Sequence, residues 1–421
     1  MTLPDIPSQQ RLLFLLPFAP RLDATHGGGR VTAQLLAQLA VRHPIALLYL
    51  RAATEPPLDD FLRQRCELVE EIIRSDVGFS FARWSSRISS LLRGRPLWAA
   101  VTAVARFDAR VRAIAQAWQP DIVQIECHVM GQYISALDDC PAPRVLTEHE
   151  PGVKAARDLW GSSEGLAKAR YRLAALAWER FERSVIRQVQ AVVVFTDSDR
   201  RALAPFVLRE TPIVRIPLGT VIPERPLDPI GRRPASLLFV GNFVHPPNAD
   251  AARRLIADIF PPVQSRFSDL VLQIVGDQPT RQMRRMSNNK IIVTGWVPDV
   301  TPYLDAAAIV VVPLRLGGGM RVKVLEALAA GKAVIASPLA LEGLHITPGE
   351  QVMLAETDEQ FVEAIVGLLV DRDKRSSLAR RARAWACANL GWERSVAAYE
   401  ELYEKVIKDR ELSNGRLSNR G

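Results

Sequence analysis

The chain holds 421 residues, 48% hydrophobic and 24% charged, with a formal net charge of +8. That balance excludes disordered, collagenous and disulfide-stapled classes and suits two globular domains with ordinary cores. Cys66, Cys127, Cys140 and Cys387 form no C-x-x-C pair, which leaves no zinc or redox motif and reads as thiols of a reducing compartment.

The apolar run Leu12–Leu16 is short, follows Asp5 and has no small-x-small cleavage site after it, so it reads as a buried first strand, not a signal peptide. No stretch approaches the roughly 20 apolar residues of a membrane span. The expected protein is soluble and cytoplasmic, or sits on a membrane face without crossing it. The positive charge admits an acidic partner.

Short apolar runs then alternate with amphipathic segments, the pattern of parallel sheets covered by helices on both faces. The first series predicts strand Leu12–Pro17, a glycine turn at Gly27, Gly28 and Gly29, helix Val31–Val41 and strand Ile45–Leu50. Strands Ile122–Ile125, Val145–Thr147 and Ala191–Phe195 follow, with a helix over about Ala167–Gln188 before the last. Residues 220–234 hold Pro223, Pro226, Pro229 and Pro234 and read as a linker. A second series predicts strands Leu237–Val240, Val271–Val275, Ile291–Thr294, Ile309–Val312 and Ala333–Ala336. Asn248 is the expected N-cap of a helix with an Ala252, Leu255, Ile256 and Ile259 stripe. Many of these strands end in Gly, Asp, Pro or Ser, which puts flexible loops at the carboxyl ends where ligands bind. A last helix carries Trp392, Val396, Tyr399, Leu402, Tyr403 and Val406 on one face, before a polar tail.

The expected fold class is α/β, with two doubly wound parallel-sheet domains facing a cleft. The boundaries read as 1–219 for the first domain, 220–234 for the linker and 235–391 for the second. Residues 392–421 form a closing helix, which packs back on the first domain, and a frayed tail.

Chemistry concentrates after Pro313. Gly317, Gly318, Gly319 and Met320 lead into a helix that Gly331 terminates. Glycines at a helix N-terminus let an anion reach free backbone N–H groups, and the helix dipole favours phosphate there. Arg321 and Lys323 add cations where the dipole disfavours them, a local violation typical of a functional site. Glu326 follows Lys323 by one turn and suits ribose or sugar hydroxyls. A surface helix with a Lys323–Glu326 pair is the plainer alternative. The run is neither G-x-x-x-x-G-K-[ST] nor G-x-G-x-x-G, which argues against a nucleotide hydrolase and a nicotinamide dehydrogenase.

The run GGGMRVKVLEALAAGKAVIAS with Glu342-Gly343 resembles the donor-binding segment of the group 1 glycosyltransferases, retaining enzymes of GT-B fold. LLFVGNFVHPPNADA, VTGWVPDVTPYLDAAAIVVVPL and GWERSVAAYEELYEKV are similar to later segments of that family, and RLLFLLPFAP with HGGGRVTAQLLAQLA to its opening. The resemblance implies a cytoplasmic glycosyltransferase that takes a nucleotide diphosphate sugar as co-substrate and needs no metal or other cofactor. It assigns Gly27, Gly28, Gly29, Gly241, Trp296, Val297, Gly317, Gly318, Gly319, Met320 and Glu326 to the donor. Glu326 matches the second glutamate of a Glu-x7-Glu motif, whose first position here is Gly318. The usual Arg and Lys after the first strand of the second domain are replaced by Gly241-Asn242-Phe243-Val244-His245, so Arg321 and Lys323 are the expected diphosphate contacts, with His245 a weaker candidate. Leu218 stands where the family often has Asn. Beside the resemblance, these three departures imply a divergent subgroup of the family, or a member that has lost activity.

Thr147-Glu148-His149 matches a strand end where a histidine commonly enters the cleft, and Glu126 ends a neighbouring strand; Arg321, Lys323, His149 and Glu126 are the catalytic candidates, with a hydrogen-bonded structural histidine as the equal alternative for His149. Asp197, in a Thr-Asp-Ser context, reads first as an N-cap. Residues 77–107 carry Arg83, Arg87, Arg93, Arg95 and Arg106 with Trp84 and Trp98 and no acid. They suit an anionic membrane surface, or a helix face docked on the domain with its arginines in water. The partners expected are a nucleotide sugar and a glycan, lipid-linked or small-molecule acceptor, and not nucleic acid. The rival readings are a sugar-nucleotide epimerase, using groups such as Glu126, His149 or Glu150, and a non-catalytic binding relative.

Overall fold

The computed structural model describes residues 9–74, 96–161, 163–208, 211–319 and 321–418, with side chains described to 412. Met320 and the arginine-rich stretch 75–95 lie outside them, so the surface expected of residues 77–107 is described only from Pro96 onward.

Two all-parallel sheets organise the chain. The first has the order β3-β2-β1-β4-β5-β6-β7, from Leu12–Leu16 (β1), Ile45–Ala52 (β2), Leu68–Arg74 (β3), Ile122–Glu126 (β4), Arg144–Glu148 (β5), Ala191–Val194 (β6) and Ile213–Arg215 (β7). The second has the order β10-β9-β8-β11-β12-β13, from Ser236–Val240 (β8), Val271–Val275 (β9), Ile291–Gly295 (β10), Ile309–Val312 (β11), Val334–Ala336 (β12) and Met353–Leu354 (β13). Central strands are buried on both faces, which is why β1, β6 and β11 read as unbroken apolar runs. In each sheet the strand order reverses beside the first strand, at β1/β4 and β8/β11, the place where such sheets open a crevice at their carboxyl ends.

Helices that position the site are Gly27–Leu39 (α1), Ala105–Trp118 (α2), Gly152–Gly161 (α3), Gly165–Ile186 (α4), Asp197–Leu203 (α5), Pro246–Arg254 (α6), Val322–Ala329 (α7), Asp358–Val370 (α8), Arg372–Asn389 (α9) and Trp392–Ser418 (α10). Trp392, Val396, Tyr399, Leu402, Tyr403 and Val406 of α10 share one core with Leu12, Phe14 and Leu47 of the first sheet. The chain therefore crosses back after the second sheet is built. Between the sheets, residues 220–234 are held against the second by Leu227 N–H to Ala330 O (2.9 Å) and Arg232 N–H to Ala306 O (3.0 Å). No helix among the described residues is long and apolar enough to cross a membrane.

Three local expectations are corrected. Gly27–Gly29 form the first turn of α1, with His26 as N-cap accepting the Gly29 N–H on Nδ1 at 3.0 Å, because an imidazole nitrogen satisfies an end donor that a loop would leave to water. The helix near Asn248 starts at Pro246, preset for a first turn, with His245 as N-cap; Asn248 lies inside it. Thr196, not Asp197, caps α5, its hydroxyl accepting the Asp199 N–H at 3.1 Å.

Candidate active site

A cleft of about 1100 Å³ opens where the carboxyl ends of the two sheets face each other. Two helix N-termini meet across it. Gly27 opens α1 and Val322 opens α7, and a Cβ on Gly27 would lie 3.0 Å from Val322 Cγ2. A side chain there would have to push Val322 back by a few tenths of an ångström. Helix ends that face each other direct unpaired N–H groups and two positive dipole ends into one space, which favours an anion with more than one charged group.

The glycine loop before α7 is held tightly. Gly317 (φ 97°) and Gly319 (φ 71°) use the left-handed region. A Cβ on Gly319 would sit 2.2 Å from His149 O of the first domain, and one on Gly317 2.7 Å from Pro247 Cγ of the second. Arg321, 7% exposed, spends its guanidinium on this loop. It donates to Gly318 O (2.6 Å), Gly317 O (3.1 Å) and Leu339 O (3.0 Å). Arg321 thus fixes the loop's carbonyls while its charge stays at the cleft wall. Lys323, one turn into the cleft, donates to Asn248 Oδ1 and stands 4.8 Å from the Phe239 ring centroid. Burial, with Arg321 and Arg30 nearby, lowers its pKa to about 7.

Glu326 lines the cleft and is engaged from the other domain by Arg30, Nε to Oε1 at 3.1 Å and Nη2 to Oε2 at 3.3 Å. A second carboxylate crosses the cleft in the opposite direction. Glu150 accepts the Gly318 N–H on Oε1 (2.8 Å) and meets His245 Nε2 with Oε2 (3.0 Å). Burial opposes its charge, yet His245, the Gly318 N–H and Arg321 outweigh it and hold Glu150 below the usual range, hence ionised. A Cβ at 318 would meet Lys154 Nζ at 2.8 Å and Asp199 Oδ1 at 3.4 Å, so a side chain there would displace the lysine tip. Both Asp199 oxygens are buried, and burial raises this carboxyl to about 6 against the opposing pull of Thr196 and Lys154.

On the floor, His149 Nε2 lies 2.6 Å from Glu126 Oε2. Burial disfavours charge on His149, but the Cys127 sulfur and Glu126 overcome it and hold its pKa well above the ordinary value. Glu126 is 1% exposed and reaches the cleft only through His149. Its other oxygen accepts from Gln124 Nε2 (3.0 Å), whose Oε1 accepts from Tyr403 Oη of α10 (3.0 Å). Cys127, between them, has φ 68°, an outlier of the kind that collects at functional sites.

Gly28, Gly241, Gly318, Val297 and the half-exposed Trp296 also line the cleft. Gly241 is packed under Gly276, whose Cβ would fall 1.8 Å from Gly241 O. Gly29 is packed on Ala24 instead. Arg30, Lys154 and Gly276 were not singled out by the sequence, and Asn248 was read there only as a helix cap. Arg30 carried one signal, as the cation ending the Gly27–Gly29 run. Among the described residues, His128, Glu148 and Glu182 hold ligand atoms within 4.8 Å of one another. They already bond internally: His128 Nδ1 lies 2.6 Å from Glu148 Oε2, and Glu182 accepts the Gly152 and Val153 N–H groups at 2.5 and 3.3 Å.

Residues 26–219 match the model of the glycosyl transferase 4-like domain, and residues 234–371 that of the glycosyl transferases group 1. The chain belongs to the group 1 glycosyltransferases. This glycosyltransferase is 28% identical over 187 residues to a phosphatidyl-myo-inositol mannosyltransferase of Mycolicibacterium smegmatis, over 43% of this chain and 47% of that one. The chain spans less than half the length of the curated relatives it matches, 38% and 47%. Sucrose-phosphate synthase from Thermosynechococcus elongatus aligns over 95% of this glycosyltransferase and 100% of its own chain, with TM-score 0.70 and 16% identity. Anabaena HepE in complex with UDP and glucose aligns over 95% and 100%, with TM-score 0.63 and 14% identity. With its two parallel sheets, the glycosyltransferase has the GT-B fold.

Proposed function

We propose that this glycosyltransferase takes its sugar from a nucleotide diphosphate sugar bound between α1 and α7, and transfers it with retention, without a metal. The observation that carries this reading is the meeting of the two helix N-termini at Gly27 and Val322 with Lys323 beside them. Breaking the anomeric bond leaves negative charge on the diphosphate, and preorganised N–H groups, dipoles and an ammonium stabilise that charge as it develops. Arg321 acts on the diphosphate through the loop it holds. Glu150, ionised and bonded to the loop at Gly318, serves as the carboxylate for sugar hydroxyls that position 318 lacks. His149, braced by Glu126, supplies a hydrogen-bond donor to the sugar. Retention and metal independence are drawn from likeness to the family. The solved complexes of HepE with UDP, UDP-glucose, and UDP and glucose support a nucleotide sugar as the donor class.

The test is a titration of the chain with UDP, GDP, UDP-glucose and GDP-mannose, followed by product analysis with and without added acceptor in EDTA. Stabilisation by a sugar nucleotide and transfer that survives EDTA support the reading, since ligands of the native state raise its stability by mass action. Absence of binding to any nucleotide in folded protein overturns it. A changed sugar nucleotide formed without acceptor favours the epimerase, which the buried Glu126–His149 pair would also serve. His149→Ala is expected to lower kcat by about 100-fold or more with folding intact. An unchanged kcat removes His149 from the chemistry.

A further inference from the structure

The hairpin of α3 and α4 forms one wall of the first domain's side of the cleft, through Leu159, Tyr171 and Trp178 with Trp98 opposite. Its other face is unusual. Leu166 is 91% exposed, Leu173 68% and Leu176 51%. With Ala169 these positions are spaced i, i+3, i+7 and i+10, so they form one stripe along the outer face of α4. Arg170 and Arg172 fall on the two sides of that stripe, and Lys168 joins them; no acidic residue occurs from Gly165 to Trp178. The Arg170 guanidinium lies 6.0 Å from the Tyr171 ring centroid and that of Arg172 5.9 Å from Trp160. A leucine stripe bordered by cations and aromatic rings is the composition of a helix that lies in a membrane interface.

We infer that the outer face of the α3–α4 hairpin docks on an anionic lipid surface, which brings a lipid-anchored acceptor to the apolar wall of the cleft. The leucines enter the boundary of headgroups and acyl chains, and Lys168, Arg170 and Arg172 pair with lipid phosphates. Charge decides against a second copy of this chain as occupant, because a symmetric contact would set these cations against their own copies. The docking stands by itself; the acceptor class rests on the transferase reading above.

The full chain is sedimented with phosphatidylcholine vesicles that contain or lack phosphatidylglycerol. Binding is expected only with phosphatidylglycerol and should weaken as salt rises. Leu166→Ser with Leu173→Ser should reduce the bound fraction at least tenfold, and Arg170→Glu with Arg172→Glu should remove the preference for the anionic vesicle. These side chains are exposed, so an unchanged melting curve is expected for both variants. Equal sedimentation of wild type and the leucine variant overturns the inference, as does no binding by wild type. So does a wild-type dimer in gel filtration that the leucine variant converts to monomer. For the acceptor, labelled sugar from a nucleotide sugar that the chain binds is offered with crude membranes. Label in the organic extract is expected, and label confined to water-soluble product overturns the acceptor class. A chain that binds no nucleotide sugar counts against the transferase reading alone, since the vesicles read the docking separately.

Discussion

Glu150 illustrates how one side chain answers two needs. Its carboxylate receives the Gly318 N–H and faces His245, so it joins the domains and places an ionised acceptor at the glycine loop. Glu150→Gln keeps the shape and removes the charge. We expect affinity for the bound sugar nucleotide to fall about tenfold, about 1.4 kcal/mol, with affinity for the bare nucleotide nearly unchanged. Parallel losses of both in calorimetric titrations would make Glu150 a domain latch only. Lys323 bears on pH. Its amine, lowered to about 7 by burial, must be protonated to pair with a diphosphate. Binding therefore takes up a proton, and nucleotide affinity should fall as pH rises above about 7. Lys323→Met should bind more weakly and with a flatter pH profile; an equally steep profile assigns the titration elsewhere.

At the scale of elements, the loop 317–319 depends on both helices it faces. Gly319 takes φ 71° and passes so close to His149 O that a Cβ would lie 2.2 Å away. Gly319→Ala should cost roughly 1–2 kcal/mol from the left-handed backbone alone, and more from the displaced contact. Thermal melts and nucleotide titrations together check this: a small drop in Tm with a large loss of affinity is expected, whereas wild-type affinity would mean the loop is free to move. Strand β3 shows why some elements escaped the sequence reading. Its LVEEIIR run looks half polar because it is an edge, where Glu70 bonds Arg110 and Glu71 bonds Arg51 at 2.7 Å. The buried inner strands, mostly apolar, were legible within a residue or two.

For the whole molecule, the return of α10 to the first domain links the last helix to the cleft. Tyr403 donates to Gln124, Gln124 to Glu126, and Glu126 holds His149. Tyr403→Phe leaves Gln124 Oε1 buried without that donor, which should cost about 1–3 kcal/mol of stability. A several-fold lower kcat at unchanged donor affinity is the expected kinetic signature. Loss of stability with full kcat would confine Tyr403 to the core.

Composition, strand periodicity and the glycine-rich run after Pro313 were enough to predict two parallel-sheet domains and a glycine loop with cations beside it, because these rest on local patterns of burial and backbone conformation. Tertiary structure decided the partners. Arg321 turned onto carbonyls of its own loop, Arg30 met Glu326, and Glu150 met Gly318, pairs up to 296 residues apart in the chain. No local pattern encodes the last two contacts, since they exist only once two separately built sheets face each other across the cleft.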